Sequence, residues 1–319
     1  MASLKVPAKV PLPSEDAEQL HKAFQAGWGT DEAKIISILS HRNAAQRALI
    51  RKAYLEAYGE DLIVALRNEI SGDFESCVTL WTIEPSERDA LLAHEAVAKK
   101  ANSSYWVVME IACTRSSDDL FKVRQAYHAR YKKSLEEDVM DQAKGEFRKL
   151  LAPLLTAFRY EEGNEVDLSL AKSEAKILHD KIAAKAYGDD EIIRILSTRS
   201  KPQLNATLNQ YNDAFGSSIT KHLKDDPKDE YLKLLRAAIK CLTYPEKYFE
   251  KVLRLSMKGF GTDECSLTRV VVTRAEVDMQ RIKEEYHRRN SVTLESAISG
   301  DTSGDYAAML LALVGHGDA

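Results

Sequence analysis

Four arginines set a frame that runs through the whole chain. Arg42, Arg115, Arg199 and Arg274 each close an apolar segment: IISILSHR, VMEIACTR, IIRILSTR and TRVVVTR. Twelve residues after each stands a tyrosine (Tyr54, Tyr127, Tyr211, Tyr286). Twenty residues after stands Leu62, Leu135, Ile219 or Leu294, and thirty-two after stands Phe74, Phe147, Tyr231 or Tyr306. All four copies keep all three offsets without a gap, so the chain is an internal repeat and each copy is one supersecondary unit. The step from Arg115 to Arg199 is longer than the steps from Arg42 to Arg115 and from Arg199 to Arg274. The longer middle gap holds Phe158 to Val166, which reads as a polar linker and divides the chain into two pairs of units. The frame places a short N-terminal segment at 1–13, repeats at 14–84, 86–157, 168–242 and 244–315, and the linker at 158–167.

Within a unit the apolar positions recur with a helical period. Ile35, Ile36 and Leu39 form one stripe, and Leu49, Ile50, Ala53 and Tyr54 form the next, as amphipathic helices require. Pro85, Pro202 and Pro245 mark helix boundaries. The arginine anchors fall near a helix C-terminus, where a cation is favoured. The expectation is an all-α chain of four small bundles, each of four or five helices.

Composition narrows the function classes. Apolar residues are 44% and charged residues 29%, ordinary for a globular chain. A net charge of −4 with no basic block argues against a nucleic-acid partner. Met1 to Pro13 lacks the apolar core and cleavage pattern of a signal peptide. No apolar run nears the ~20 residues that span a bilayer, so any membrane contact is expected to be peripheral. Cys77, Cys113, Cys241 and Cys265 are scattered and form no CxxC pair, the usage of a reducing, cytoplasmic setting.

Two stretches nearly repeat each other: Gly27-Trp28-Gly29-Thr30-Asp31-Glu32 and Gly259-Phe260-Gly261-Thr262-Asp263-Glu264. Each opens a helix, with the threonine read as the cap and the acids set at the positive end of the dipole. An acid follows each loop at one fixed distance: Glu69 stands as far beyond Gly29 as Asp301 stands beyond Gly261. A glycine loop that turns its carbonyls outward, with a remote carboxylate at constant spacing, reads as an oxygen-ligand cation site built twice.

With these residues the chain resembles the annexins, and its short N-terminus and degenerate middle repeats resemble the plant branch. The resemblance covers about residues 14–315. It implies an all-α, slightly curved disc of four repeats with five helices each, and glycine loops on the convex face. It also implies calcium held by three loop carbonyls and the distant acid, with water or lipid phosphate completing the shell. Carried over by residue, the first site uses the carbonyls of Gln25, Gly27 and Gly29 with the carboxylate of Glu69. The second uses Met257, Gly259 and Gly261 with Asp301. One acid per ion implies a weak intrinsic affinity, on the order of 10⁻⁴–10⁻³ M, tightened when lipid supplies ligands. The implied partner is an anionic phospholipid membrane, reached from the cytoplasm when calcium rises. Trp28 and Phe260 at the loop tips are expected at the headgroup layer, with Lys258 adding attraction to anionic lipid.

The middle repeats depart from the pattern. Lys100 and Asn102 stand where the second repeat's glycines belong, and Gln142 where its acid belongs. In the third, Ala184 and Ala186 replace the glycines while Asp226 keeps an acid. Two competent sites are therefore expected, in repeats one and four.

Other family associations compete with this reading. His41, Cys113 and Cys241 match positions linked to redox activity, but no haem constellation accompanies the histidine. Asp301-Thr302-Ser303-Gly304 fits a DxxG pattern read as nucleotide binding, without a phosphate loop beside it. Ile193-Arg194-Ile195 matches a short motif proposed for F-actin contact, although its isoleucines fit a core stripe. Self-association on membranes and ion conductance are further family alternatives. No catalytic constellation is read from the chain, and calcium is the only cofactor expected.

Overall fold

Helix starts are written locally. Asn43 and Gln46 form a reciprocal capping box, while Ser116, Ser134, Asp167, Ser200, Asp229 and Thr293 each accept a backbone N–H of the turn they open. Pro85 and Pro245 occupy the first position of their helices, and Pro202 the second, where a missing N–H costs nothing. A computed structural model describes every residue except Trp28, residues 100–104, Glu162, Asp225 and Ala319. Among the described residues it holds twenty α-helices and no strand.

Each repeat has five helices. Repeat one comprises α1 (Pro13–Phe24), α2 (Glu32–Leu39), α3 (Ala44–Tyr58), α4 (Leu62–Glu69) and α5 (Gly72–Thr82). Repeat two comprises α6 (Pro85–Ala98), α7 (Tyr105–Thr114), α8 (Ser117–Tyr131), α9 (Leu135–Gln142) and α10 (Gly145–Thr156). Repeat three comprises α11 (Leu168–Ala183), α12 (Asp190–Thr198), α13 (Lys201–Phe215), α14 (Ile219–His222) and α15 (Glu230–Thr243). Repeat four comprises α16 (Pro245–Ser256), α17 (Glu264–Arg274), α18 (Met279–Asn290), α19 (Leu294–Asp301) and α20 (Gly304–Leu313).

The frame residues are the interior of each bundle. The four tyrosines at offset twelve are all buried, as are Leu62, Leu135, Ile219 and Leu294 at offset twenty. The arginines have a stronger partner than a helix dipole. Arg42 grips Asp16 of α1 through two hydrogen bonds (Nε–Oδ2 2.7 Å, Nη2–Oδ1 2.9 Å), and Arg115 grips Asp89 of α6 in the same way (2.7 and 2.8 Å). Arg199 holds Glu174 of α11, with both Nε (2.8 Å) and Nη2 (2.7 Å) on one carboxylate oxygen. Repeat four changes partners. Arg274 pairs with Asp278 four residues on, and its guanidinium lies 4.6 Å from the centre of the Phe249 ring. The buried acid of α16, Glu250, takes Arg254 (3.1 Å), Arg289 (3.0 Å) and Asn290 (3.0 Å) instead.

The pairing of repeats differs from the one the gap lengths imply. One compact unit joins Met1–Pro85 with Glu246–Ala319, and the other is Ser86–Pro245. Repeats one and four thus share a unit, and the long middle gap lies inside the other. Side chains remote in sequence explain this. In the first unit Glu276 accepts the Ala44 N–H (2.7 Å) and the guanidinium of Arg47 (2.9 Å), and Arg47 stacks over Trp81 at 3.6 Å. The N-terminal segment joins in: Ser3 N–H donates to the Ala275 carbonyl (2.9 Å), and its hydroxyl to the Leu313 carbonyl (2.7 Å). In the second unit the polar linker is anchored by a buried residue. Arg159 donates to the carbonyls of Leu196 (2.8 Å) and Arg199 in repeat three, while its own carbonyl accepts the Ser117 hydroxyl of repeat two (2.8 Å).

Removing one partner of a buried pair strands the other charge, at a cost of about 3–5 kcal/mol. Asp89→Ala is expected to lower the unfolding free energy by about that amount, read as a shifted urea midpoint. Glu18→Ala, which breaks the exposed Glu18–Lys22 pair, is expected to leave that midpoint nearly unchanged.

Candidate metal centre

In repeat one the segment joining α1 to α2 folds back on itself. The Asp31 N–H returns to the Ala23 carbonyl (2.9 Å), and the Gly29 N–H to the Ala26 carbonyl (2.9 Å). In repeat four the Asp263 N–H returns to the Ser256 carbonyl (2.7 Å). Gly29 (φ 128°), Gly259 (110°) and Gly261 (88°) hold backbone angles that a side chain would strain.

The caps are not the threonines. Asp31 accepts the Lys34 N–H (2.9 Å), and Asp263 accepts the Ser266 N–H (3.1 Å). A carboxylate caps at least as well as a hydroxyl and adds charge at the positive helix end, so the threonine is released for another partner. Thr30 Oγ1 meets the carbonyl (3.2 Å) and the carboxylate Oε2 (3.4 Å) of Glu69. Thr262 Oγ1 meets the carbonyl (3.1 Å) and the carboxylate Oδ2 (2.5 Å) of Asp301. The last residue of the fourth helix is thereby brought beside the glycine loop in both repeats. Sequence reasoning missed these two threonines, although both stand at one and the same offset before their acids. Among the described residues, no hydrogen bond ends on the carbonyls of Gln25, Gly27 or Gly29, nor on those of Met257, Gly259 or Gly261.

The loop tips differ in what is visible. Phe260 is fully exposed, and Lys258 beside it is exposed too. Trp28 lies outside the described residues. Among the described residues, no group of three or more His, Cys, Asp or Glu side chains is placed to hold a metal. A site built mainly from carbonyls is of another kind.

Among the described residues the middle repeats do not show this arrangement. Lys100 and Asn102 lie outside the described residues. The carbonyl of Gln142, at the acid's position, accepts the hydroxyl of Tyr105 (2.9 Å). In repeat three, α14 is only four residues long, and Asp226 lies beyond its end, where it accepts the Lys228 N–H (2.9 Å). Near Ala184 and Ala186 the carbonyl of Tyr187 is taken by the Tyr231 hydroxyl (3.1 Å).

The remaining candidates fall elsewhere. His41 Nδ1 lies 2.9 Å from the Lys5 carbonyl, holding the N-terminal segment. Cys113 and Cys241 are buried free thiols, and burial pushes Cys113 up to about 12. Ile193 and Ile195 are buried, and Arg194 pairs with Glu191 (2.6 Å) and Glu174 (3.6 Å). Asp301 of the DxxG segment is already engaged by Thr262.

Comparison with known proteins agrees with the repeat count. The family model described as Annexin matches four times, at residues 15–81, 88–154, 173–238 and 248–313. Annexin D2 of Arabidopsis thaliana is 63% identical over 320 residues, covering 100% of both chains. Among solved structures, annexin III superposes with a TM-score of 0.89 at 36% identity, covering 100% of this chain and 98% of its own. Calcium-bound annexin (Sm)1 does so with a TM-score of 0.85 at 27% identity, covering 99% and 93%.

The thiols give a direct test of the site's surroundings. A buried thiol with a raised pKa is a poor nucleophile, whereas Cys265 is exposed. Native protein titrated with a disulfide reagent is expected to show one fast thiol, lost in Cys265→Ser, with the others reacting only after unfolding.

Proposed function

The chain belongs to the annexin family of calcium-dependent phospholipid-binding proteins, and on that premise we propose that it binds anionic phospholipid through two calcium ions, one docked in repeat one and one in repeat four. The Gln25, Gly27 and Gly29 carbonyls with Glu69 hold the first ion. The Met257, Gly259 and Gly261 carbonyls with Asp301 hold the second. Three carbonyls and a bidentate carboxylate supply five of the 6–8 oxygens that calcium takes. The open positions are the ones a lipid phosphate fills, so the ion bridges protein and membrane. The observation that carries this reading is the threonine–acid contact, made by Thr30 with Glu69 and again by Thr262 with Asp301. It supports the reading together with the carbonyls of Gln25, Gly27, Gly29, Met257, Gly259 and Gly261, which accept no hydrogen bond from described residues.

Calcium is the ion this chemistry favours: the donors are all hard oxygens, and the loop geometry is irregular. Phe260, fully exposed at its loop tip, enters the headgroup layer beside the ion, and Trp28 does the same at the first loop. No described helix is long and apolar enough to cross a membrane, so the attachment runs through these two loops. The family is in general non-enzymatic, and repeats two and three serve here as frame rather than as calcium sites.

Glu69→Gln combined with Asp301→Asn is expected to abolish calcium-dependent sedimentation with phosphatidylserine vesicles while leaving the helical circular dichroism intact. Unchanged sedimentation would overturn the site assignment. Thr262→Val is expected to weaken calcium binding roughly ten-fold by releasing the carboxylate it orients. Phe260→Ala is expected to weaken vesicle binding by about 1–2 kcal/mol, the scale of burying an aromatic side chain, with calcium affinity in the absence of lipid unchanged.

A further inference from the structure

Repeat three has lost its glycine loop, yet it holds a cavity with a chemistry of its own. The space is ≈ 540 Å³ near Asp16 in repeat one and ≈ 530 Å³ in repeat three, but only the second has a predominantly cationic and hydrogen-bonding wall. His179, Tyr211, Ser217, Lys221, His222 and Lys224 line it, with apolar contacts from the end of α11. Lys221 and Lys224 are exposed at its rim, and Tyr211 is buried at its floor. Neither lysine makes an ion pair with a described residue, whereas Lys181 nearby is committed to Asp189 at 2.8 Å.

The polar groups are positioned rather than scattered. His179 stacks on Phe215 with ring centres 3.7 Å apart, and Tyr211 bonds His222 Nδ1 at 2.7 Å. Burial pushes the Tyr211 hydroxyl up to about 12, so it stays a neutral phenol. In the tautomer whose Nδ1 accepts the phenol proton, Nε2 carries the imidazole proton and can donate to an anion. The negative end of the short α14 is also occupied, because the Leu223 carbonyl accepts Arg236 Nη1 (2.6 Å). Two described acids stand close by in sequence. Asp226 holds its own turn through the Lys228 N–H, and Asp180 faces solvent 3.6 Å from His179 Nδ1.

The repeat frame supplies an internal comparison. At the positions of Lys221, His222 and Lys224, repeat one has Val64, Ala65 and Arg67, repeat two has Glu137, Asp138 and Met140, and repeat four has Ser296, Ala297 and Ser299. In repeat two Asp138 itself accepts the frame tyrosine, Tyr127, at 2.6 Å. The carboxylate of Asp138 thus takes there the frame position that His222 takes in repeat three.

We propose that this cavity of repeat three is a calcium-independent site for a phosphate monoester, held by Lys221, Lys224 and His222 from one side and by His179 and Ser217 from the other. Repeat three would then meet phosphate with the protein's own cations, where repeats one and four meet it through a metal. The site does not rest on the calcium loops, and its test is run without calcium.

Full-length protein in EGTA, at fixed ionic strength, is titrated with inorganic phosphate and followed by amide NMR and calorimetry. The expected result is saturable binding with shifts concentrated at residues 211–224. Lys221→Gln with Lys224→Gln is expected to weaken it at least ten-fold. Lys172→Gln with Lys176→Gln, which removes the same charge from exposed positions on α11, is expected to change it less than two-fold. His222→Asp, which restores the acid of repeat two, is expected to abolish it. Equal losses in the two lysine pairs, or phosphate shifts spread over the surface, would overturn the site. Vesicles of phosphatidic acid in phosphatidylcholine, also in EGTA, identify the source. Sedimentation lost with Lys221 and Lys224 assigns the site to a lipid headgroup, and sedimentation indifferent to them, with phosphate binding retained, assigns it to a soluble phosphate.

Discussion

A guanidinium paired with a buried carboxylate organises each of the first three repeats. Arg42, Arg115 and Arg199 stand at or just beyond the end of the second helix, and each reaches the first helix of its own repeat at Asp16, Asp89 or Glu174. The partners are remote along the chain yet nearly equally so in all three repeats. Closing that distance fixes how the first two helices cross and where the segment between them must turn. In repeat one that segment is the glycine loop. A buried pair of this kind adds little net stability over a well-packed apolar pair, but loss of one partner strands the other charge.

The same frame brings the acid to the loop. The fourth helix ends at Glu69 in repeat one and at Asp301 in repeat four, and a threonine hydroxyl from the loop meets each carboxylate. The constant spacing from loop to acid follows from helices of nearly fixed length. Where the frame is altered the contact is lost: α14 has four residues while α4, α9 and α19 have eight. Asp226 then lies past the helix end and is taken up by its own turn. An acid kept in sequence is thus not an acid kept in place.

Repeats two and three show what a repeat array permits. Each unit is stabilised mainly by its own core and its neighbours, so a loop that loses its ligands leaves the bundle standing. The surface so released can acquire another chemistry. Asp138 and His222 occupy one frame position in two repeats, and each bonds the frame tyrosine of its own repeat.

The all-α class, the four repeats and the two complete loop-and-acid sets were legible in the residues alone, because each is carried by periodicity or by fixed spacing along one chain. Local chemistry also announced the helix starts at Pro85, Pro202 and Pro245. Three things were decided only by the folded chain. The cap fell to Asp31 and Asp263, freeing Thr30 and Thr262, since two residues competed for one helix end and the threonine had a distant partner. Repeats one and four were joined in one unit because Arg47, stacked on Trp81, meets Glu276, and Ser3 meets the carbonyls of Ala275 and Leu313, contacts that no local pattern encodes. The linker was tied down by Arg159, whose charge marks it as surface in any sequence reading yet whose guanidinium finds carbonyls on repeat three. Spacing along a chain specifies what recurs within a repeat, and it is silent about which remote side chains satisfy one another once the repeats are packed.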